Sequence, residues 1–239
     1  MFYQSRLIER EEVAHATIAV RIERPDGFEF RAGQYIDVMA RDLPFQDALG
    51  PVRSLSIASP PGEDHLELVM RVRDTAFKQA LATLPPGGEL AIEGPFDDLG
   101  FDPAPGRELV FIAGGVGITP FLSVLREAAR DGRELRATLF YSNQRPEDAV
   151  GLDELRRFED EIPGFRLVAT MTRIGESARA WDGETGRIGI ELLERHLPSI
   201  VGPAYYMAGS TPFVSELMNA IVEAGVEFED IGVEAFTGY

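Results

Sequence analysis

The rhythm of apolar and polar positions along this chain changes once, near residue 103. Upstream, apolar residues come in short, partly alternating runs: ATIAVRIE (16–23), QYIDVMA (34–40), VRSLSIAS (52–59), HLELVMRVR (65–73) and ELAIEGPF (89–96). Turn signals separate them at Pro25-Asp26-Gly27, Ala32-Gly33, Pro60-Pro61-Gly62 and Pro85-Pro86-Gly87-Gly88. Closely spaced strands with Gly/Pro punctuation predict an antiparallel β-barrel or sandwich. One helix is expected there, Thr75 to Leu84, with Asp74 as its N-cap. Downstream, continuous apolar strands at 109–113, 137–142, 166–172, 204–209 and 231–236 alternate with helical stretches at 119–129, 151–161, 190–196 and 212–224. That alternation predicts an α/β domain with a doubly wound parallel sheet. Two domains are expected, a barrel over 1–103 and an α/β domain over 104–239.

Composition narrows the chemistry. A chain of 239 residues with 44% hydrophobic and 26% charged residues is that of a folded globule. Its 23 Lys plus Arg against 40 Asp plus Glu give a net charge of −17, which argues against nucleic acid as a partner. The absence of cysteine removes disulfides, thiol nucleophiles, zinc–thiolate sites and iron–sulfur clusters from this chain. The first residues, MFYQSRLIEREE, hold no signal-like apolar run, and no segment has the roughly 20 apolar residues of a membrane span, so a cytoplasmic protein is expected. His15, His65 and His196 lack ligand-like spacing, and no G-x-S-x-G elbow is present.

Three features remain. Gly114-Gly115-Val116-Gly117-Ile118-Thr119-Pro120 lies between a buried strand and a helix. Glycine admits a ligand close to the backbone, and the helix start offers free N–H groups to a diphosphate; a plain strand–helix turn is the alternative. The following strand ends Tyr141-Ser142-Asn143-Gln144-Arg145, and Arg173 closes the third. A hydroxyl and arginines, with no carboxylate, suit a 2′-phosphate and lean toward NADP over NAD; solvated loop arginines are the alternative. In the barrel half, Val52-Arg53-Ser54-Leu55-Ser56-Ile57 places Arg53 and Leu55 on one strand face and Ser54 and Ser56 on the other. Read alone, this is an edge strand with a surface arginine.

Taken in order, these pieces resemble the ferredoxin–NADP reductase superfamily over essentially the whole chain. Ala32-Gly33-Gln34-Tyr35 resembles the family's P-G-Q-Y strand entry, Arg53-Ser54-Leu55-Ser56 its R-x-Y-S flavin motif, and Gly94-Pro95-Phe96 the end of its barrel. Gly114 to Pro120 resembles the G-G-x-G-x-x-P pyrophosphate turn, Tyr206 to Ser210 the Y-x-C-G-P segment, and Glu234-Ala235-Phe236 the acidic–aromatic C-terminal strand. The resemblance implies that Arg53 binds a flavin phosphate and that Ser56 lies by the flavin's reactive edge. Tyr35, Ser54, Leu55, Arg71 and Thr75 follow as further flavin-side positions. It implies that Gly115, Gly117 and Thr119, framed by Gly114 and Pro120, hold a nicotinamide nucleotide, with Ser142, Arg145, Arg173 and Gly209 also on that side. Glu234 positions the nicotinamide or relays a proton, and Phe236 covers a flavin face. Leu55 replaces the family's stacked tyrosine and Ala208 its cysteine, and Arg73-Asp74-Thr75-Ala76 departs from G-x-x-S.

The implied activity is that of a flavin-dependent oxidoreductase. Hydride passes from NADPH or NADH to bound flavin, with FAD favoured over FMN, and electrons then leave to a separate acceptor. With no cysteine for a fused cluster, that acceptor is expected outside the chain, as a ferredoxin, flavodoxin or oxygenase component. The alternative is a flavin- or nucleotide-binding relay or sensor subunit without turnover of its own.

Overall fold

The computed structural model describes residues 1–236. They form two compact units, residues 1–97 with 119–127, and residues 98–118 with 128 onward.

The first unit is an antiparallel sheet of six strands, β1 (Phe2–Ala14), β2 (Thr17–Glu23), β3 (Tyr35–Ala40), β4 (Val52–Ser56), β5 (His65–Arg71) and β6 (Glu89–Phe96), with helix α1 (Ala76–Thr83) between β5 and β6. The order is β4-β3-β6-β1-β2-β5, and an antiparallel bridge between Ile57 and Leu68 joins the two ends. Joining the ends pairs strand edges that would otherwise be exposed. Inward-facing Val20, Ile22, Ile36, Val38, Ile57, Leu66, Leu68 and Ile92 fill the interior, and α1 adds Phe77 and Leu81. Each of these two helix side chains is fully buried, a gain of about 1.5–3 kcal/mol apiece.

Two details differ from expectation. β1 runs 13 residues where no strand is predicted, because only Ser5 and Leu7 of its side chains are buried. It is held by backbone ladders, pairing with β6 over Phe2–Arg6 and with β2 over Leu7–Ala14. The N-cap of α1 is Thr75, not Asp74: Thr75 is extended (φ −117°, ψ 147°) and its hydroxyl accepts from the Lys78 N–H, so the helix starts one residue late.

The second unit is built on a parallel sheet of β7 (Leu109–Gly114), β8 (Ala137–Asn143), β9 (Phe165–Met171), β10 (Glu184–Thr185), β11 (Ala204–Ser210) and β12 (Ile231–Phe236). Helices α2 (Thr119–Asp131), α3 (Leu152–Glu161), α4 (Ile190–His196) and α5 (Thr211–Glu223) connect the strands, the first half of α2 counting with the first unit. The order is β10-β9-β8-β7-β11-β12. The chain therefore winds outward from β7 on one side and from β11 on the other, and open α/β sheets bind ligands at the carboxyl ends of strands flanking such a reversal. Val110, Ile112, Phe140 and Met207, all buried, explain the unbroken apolar runs in the sequence.

Candidate functional site

In the first unit the candidate residues gather around β4 and the start of α1. Alternation along β4 packs Leu55 on the barrel core, buries Ser56 and exposes Ser54, which donates to Asp37 Oδ1 at 2.6 Å. Tyr35 stands opposite Ser56 in the β3–β4 ladder, its ring 5.4 Å from that of Phe96. Arg53 is not a surface arginine. Its guanidinium lies over the Phe77 ring at 5.5 Å, and Nη1 donates to the carbonyls of Leu49 (2.8 Å), Gly50 (3.1 Å) and Val52 (2.6 Å). Its Nη2 is buried with no acceptor among the described residues, and a buried donor left unpaired costs about 1–3 kcal/mol. Arg71 and Arg73 are nearby: burial first, then the charges of Arg73, Arg53 and Arg71, lower the pKa of Lys78 in the first turn of α1. Arg53 thus lies on the first turn of α1, which Thr75 caps, and β5 ends at Arg71 four residues before that cap. An acid that the sequence gives no reason to single out, Asp47, joins them from the β3–β4 loop and accepts from the Ala76 N–H at 2.7 Å.

In the second unit, β7 leads through a tight 3-10 turn, Gly115–Ile118, into α2, with Pro120 in its first turn. Gly115 has φ +56° and faces open space where a Cβ would stand, as a ligand-facing turn requires. Gly117 has a different reason: a Cβ there would lie 2.2 Å from the Ala208 carbonyl oxygen, so the turn presses on the β11 backbone. Gly114 and Gly209 make room for the Phe213 ring. Thr119 is buried at the start of α2.

A cavity of about 510 Å³ opens at the carboxyl ends of β8, β9 and β11, where Ser142, Arg173, Arg187, Ser210, Phe213 and Glu216 meet. Ser142 and Arg173 of the expected set line it. Arg145 does not, because its guanidinium chelates the buried Asp148 carboxylate at 2.9 and 3.1 Å. Arg187 supplies the second cation instead, 3.4 Å from Glu216. Neither residue has a local sequence signal, since the cavity is assembled from chain segments distant in sequence. On β12, Glu234 is buried opposite Ala208, and half-buried Phe236 pairs with Ser210. Trp181 serves packing: its indole donates to the Glu184 carbonyl at 2.8 Å, and Arg156 covers the ring at 5.6 Å. Among the described residues no cluster of His, Cys, Asp or Glu is suited to a metal ion, and no helix is long and apolar enough to cross a membrane.

The sequence profile of the family described as "Oxidoreductase NAD-binding domain" matches residues 111–218. Ferredoxin–NADP reductase B of Sorangium cellulosum is 30% identical over 98% of this chain and 97% of its own length. The glycine betaine monooxygenase reductase subunit of Chromohalobacter salexigens is 26% identical over 92% of this chain, which spans 60% of that relative's length. Among solved structures, a ferredoxin NADP+ reductase from Neisseria gonorrhoeae with bound FAD and NADP superposes with a TM-score of 0.81 at 22% identity, covering 98% of both chains.

Proposed function

The chain belongs to the ferredoxin–NADP reductase-like family of FAD- and NAD(P)-binding oxidoreductases, and from that premise we propose that it takes hydride from NADPH onto bound FAD and hands electrons to a separate protein acceptor. The observation that carries this reading is the buried Arg53 Nη2, an N–H without an acceptor beside the start of α1. A flavin phosphate supplies the missing acceptor, and a guanidinium suits it. Bound flavin and nicotinamide provide the redox chemistry. The chain's own groups bind and orient: Arg53, Arg71 and Thr75 hold the flavin phosphate, while Tyr35, Ser54, Leu55 and Ser56 border the ring.

On the nucleotide side, Gly114, Gly115, Gly117, Thr119 and Pro120 shape the pyrophosphate turn, Gly209 and Glu234 serve the nicotinamide, and Phe236 covers the flavin face that the nicotinamide takes over. Ser142 with Arg173 and Arg187 favours NADPH over NADH, since two cations and a hydroxyl suit a 2′-phosphate. The acceptor is proposed to be a ferredoxin, a flavodoxin or an oxygenase component, met in the cytoplasm, where nicotinamide nucleotides are abundant.

The purified protein is expected to be yellow and to bleach under anaerobic NADPH. Steady-state NADPH oxidation with a ferredoxin, a flavodoxin, an oxygenase component and a quinone then identifies the acceptor. A colourless protein that neither FAD nor FMN reconstitutes would overturn the reading. A yellow one that neither nucleotide bleaches would assign a relay or sensor role instead. Arg53→Ala should weaken flavin retention by at least about tenfold, the loss of one charge-assisted contact; unchanged retention would displace the phosphate from Arg53.

A further inference from the structure

The loop joining β3 to β4, residues 41–51, is tied down at two points, both on donors that suit an anionic ligand. Asp47 Oδ2 accepts from the Ala76 N–H at 2.7 Å, while its Oδ1 accepts from Leu49 N (2.8 Å) and Gly50 N (3.1 Å) within the loop. Arg53 in turn donates to the Leu49 and Gly50 carbonyls at 2.8 and 3.1 Å. The loop thus lays its own carboxylate on the first N–H of α1 and its own carbonyls on the arginine. Thr75 caps only the Lys78 N–H of α1, at 3.4 Å, so Asp47 takes a separate free donor of the helix start, of the kind that suits an anion. The Ala76 N–H first, with the loop N–H groups and the Arg53 charge, holds the Asp47 carboxyl below its ordinary range, so an anion sits there at neutral pH. The surroundings favour one, with Arg53, Arg71 and Arg73 close enough to act on Lys78 and Arg53 Nη2 buried without an acceptor. An open cleft lined by Met39, Leu43, Gln46, Asp47 and Pro51 runs along the loop.

We propose that Asp47 is a built-in stand-in for the flavin phosphate: its carboxylate rests on the start of α1 in the cofactor-free protein and must leave, with the 41–51 loop, for the phosphate to bind. The inference rests on the flavin reading above. Asp47 thereby lowers the protein's affinity for phosphate-bearing flavins while stabilising the cofactor-free barrel.

The test uses full-length protein stripped of flavin, as wild type, Asp47→Ala and Asp47→Asn. The Asn variant removes the charge but keeps a capping oxygen if the Ala variant fails to fold. Fluorescence quenching gives Kd for FAD, FMN and riboflavin, and thermal melts are taken without flavin. Both variants should bind FAD and FMN about tenfold more tightly, the scale of one charge-assisted hydrogen bond, with riboflavin binding unchanged. The flavin-free Asp47→Ala protein should also melt at a lower temperature. Unchanged or weakened FAD and FMN binding in folded variants would overturn the proposal while leaving the flavin reading intact. A wild type that binds none of the three flavins would remove both.

Discussion

At the scale of single residues, the strand-end cavity proposed above to take the nucleotide's 2′-phosphate holds a charge balance that bears on that proposal. Arg173 and Arg187 line it, yet Glu216 lies 3.4 Å from Arg187 and partly satisfies it. Both partners are largely exposed, so their pairing is weak and a phosphate can compete for the arginine. Arg187→Ala should therefore raise KM for NADPH by about tenfold with little change for NADH. Glu216→Gln should shift the kcat/KM ratio the other way, toward NADPH. If Arg187→Ala raised KM equally for NADPH and NADH, the cavity would not read the 2′-phosphate. Arg173's place on the cavity was legible in the sequence because it follows a strand of the α/β half. Arg145 occupies an equivalent place after β8, but Asp148 lies three residues on and captures it. That local acid was visible; the approach of Arg187 and Glu216 was not, because it depends on how loop and helix come together around β11. Asp47 was hidden for the same reason, meeting α1 across 29 residues of chain.

At the scale of elements, an apolar rhythm revealed the strands that bury one face and missed β1, which buries almost none of its side chains and is held by its neighbours' ladders. Ion pairing between elements was equally silent in the sequence. Glu67 on β5 is only 6% exposed and takes Arg21 from β2 at 2.9 Å and Arg126 from α2 at 2.7 Å. Burial pushes its carboxyl pKa up, but the Arg126 charge and hydrogen bond, followed by those of Arg21, outweigh burial and bring it below the ordinary range. A carboxyl whose folded pKa is depressed stabilises the fold above its unfolded pKa and loses that contribution as pH falls through the folded value. Arg21 and Arg126 stay charged throughout. Glu67→Gln should thus cost about 2 kcal/mol in urea unfolding at pH 7, below the range for a fully buried pair because both arginines are partly exposed. The gap from wild type should narrow as pH falls below about 4, where the unfolded carboxyl takes up its proton. A gap that persisted at pH 3 would mean that packing, not charge, carries the effect.

At the scale of the whole molecule, the change of rhythm near residue 103 announced two cores, and the barrel and the parallel sheet both follow from it; that residues 119–127 count with the first unit was not legible, because a helix's periodicity shows that it has a buried face but not which core receives it. The net charge of −17 was legible from the start and bears on how this protein would meet the acceptor proposed above. Ferredoxins and flavodoxins that are themselves acidic would be repelled at long range, and such repulsion lowers the encounter rate while leaving short-range docking intact. Salt should relieve it, since the Debye length falls from about 30 Å at 0.01 M to about 8 Å at 0.15 M. Lys78 is the sole lysine beside 22 arginines, so any local attraction must come from arginine. Arginines as paired as Arg21, Arg126 and Arg145 have little charge left to offer a partner. The second-order rate of acceptor reduction, measured from 10 to 150 mM ionic strength, should consequently rise with salt for an acidic ferredoxin and stay flat for a neutral quinone. A rate that fell with salt would reveal an arginine docking face strong enough to override the net charge.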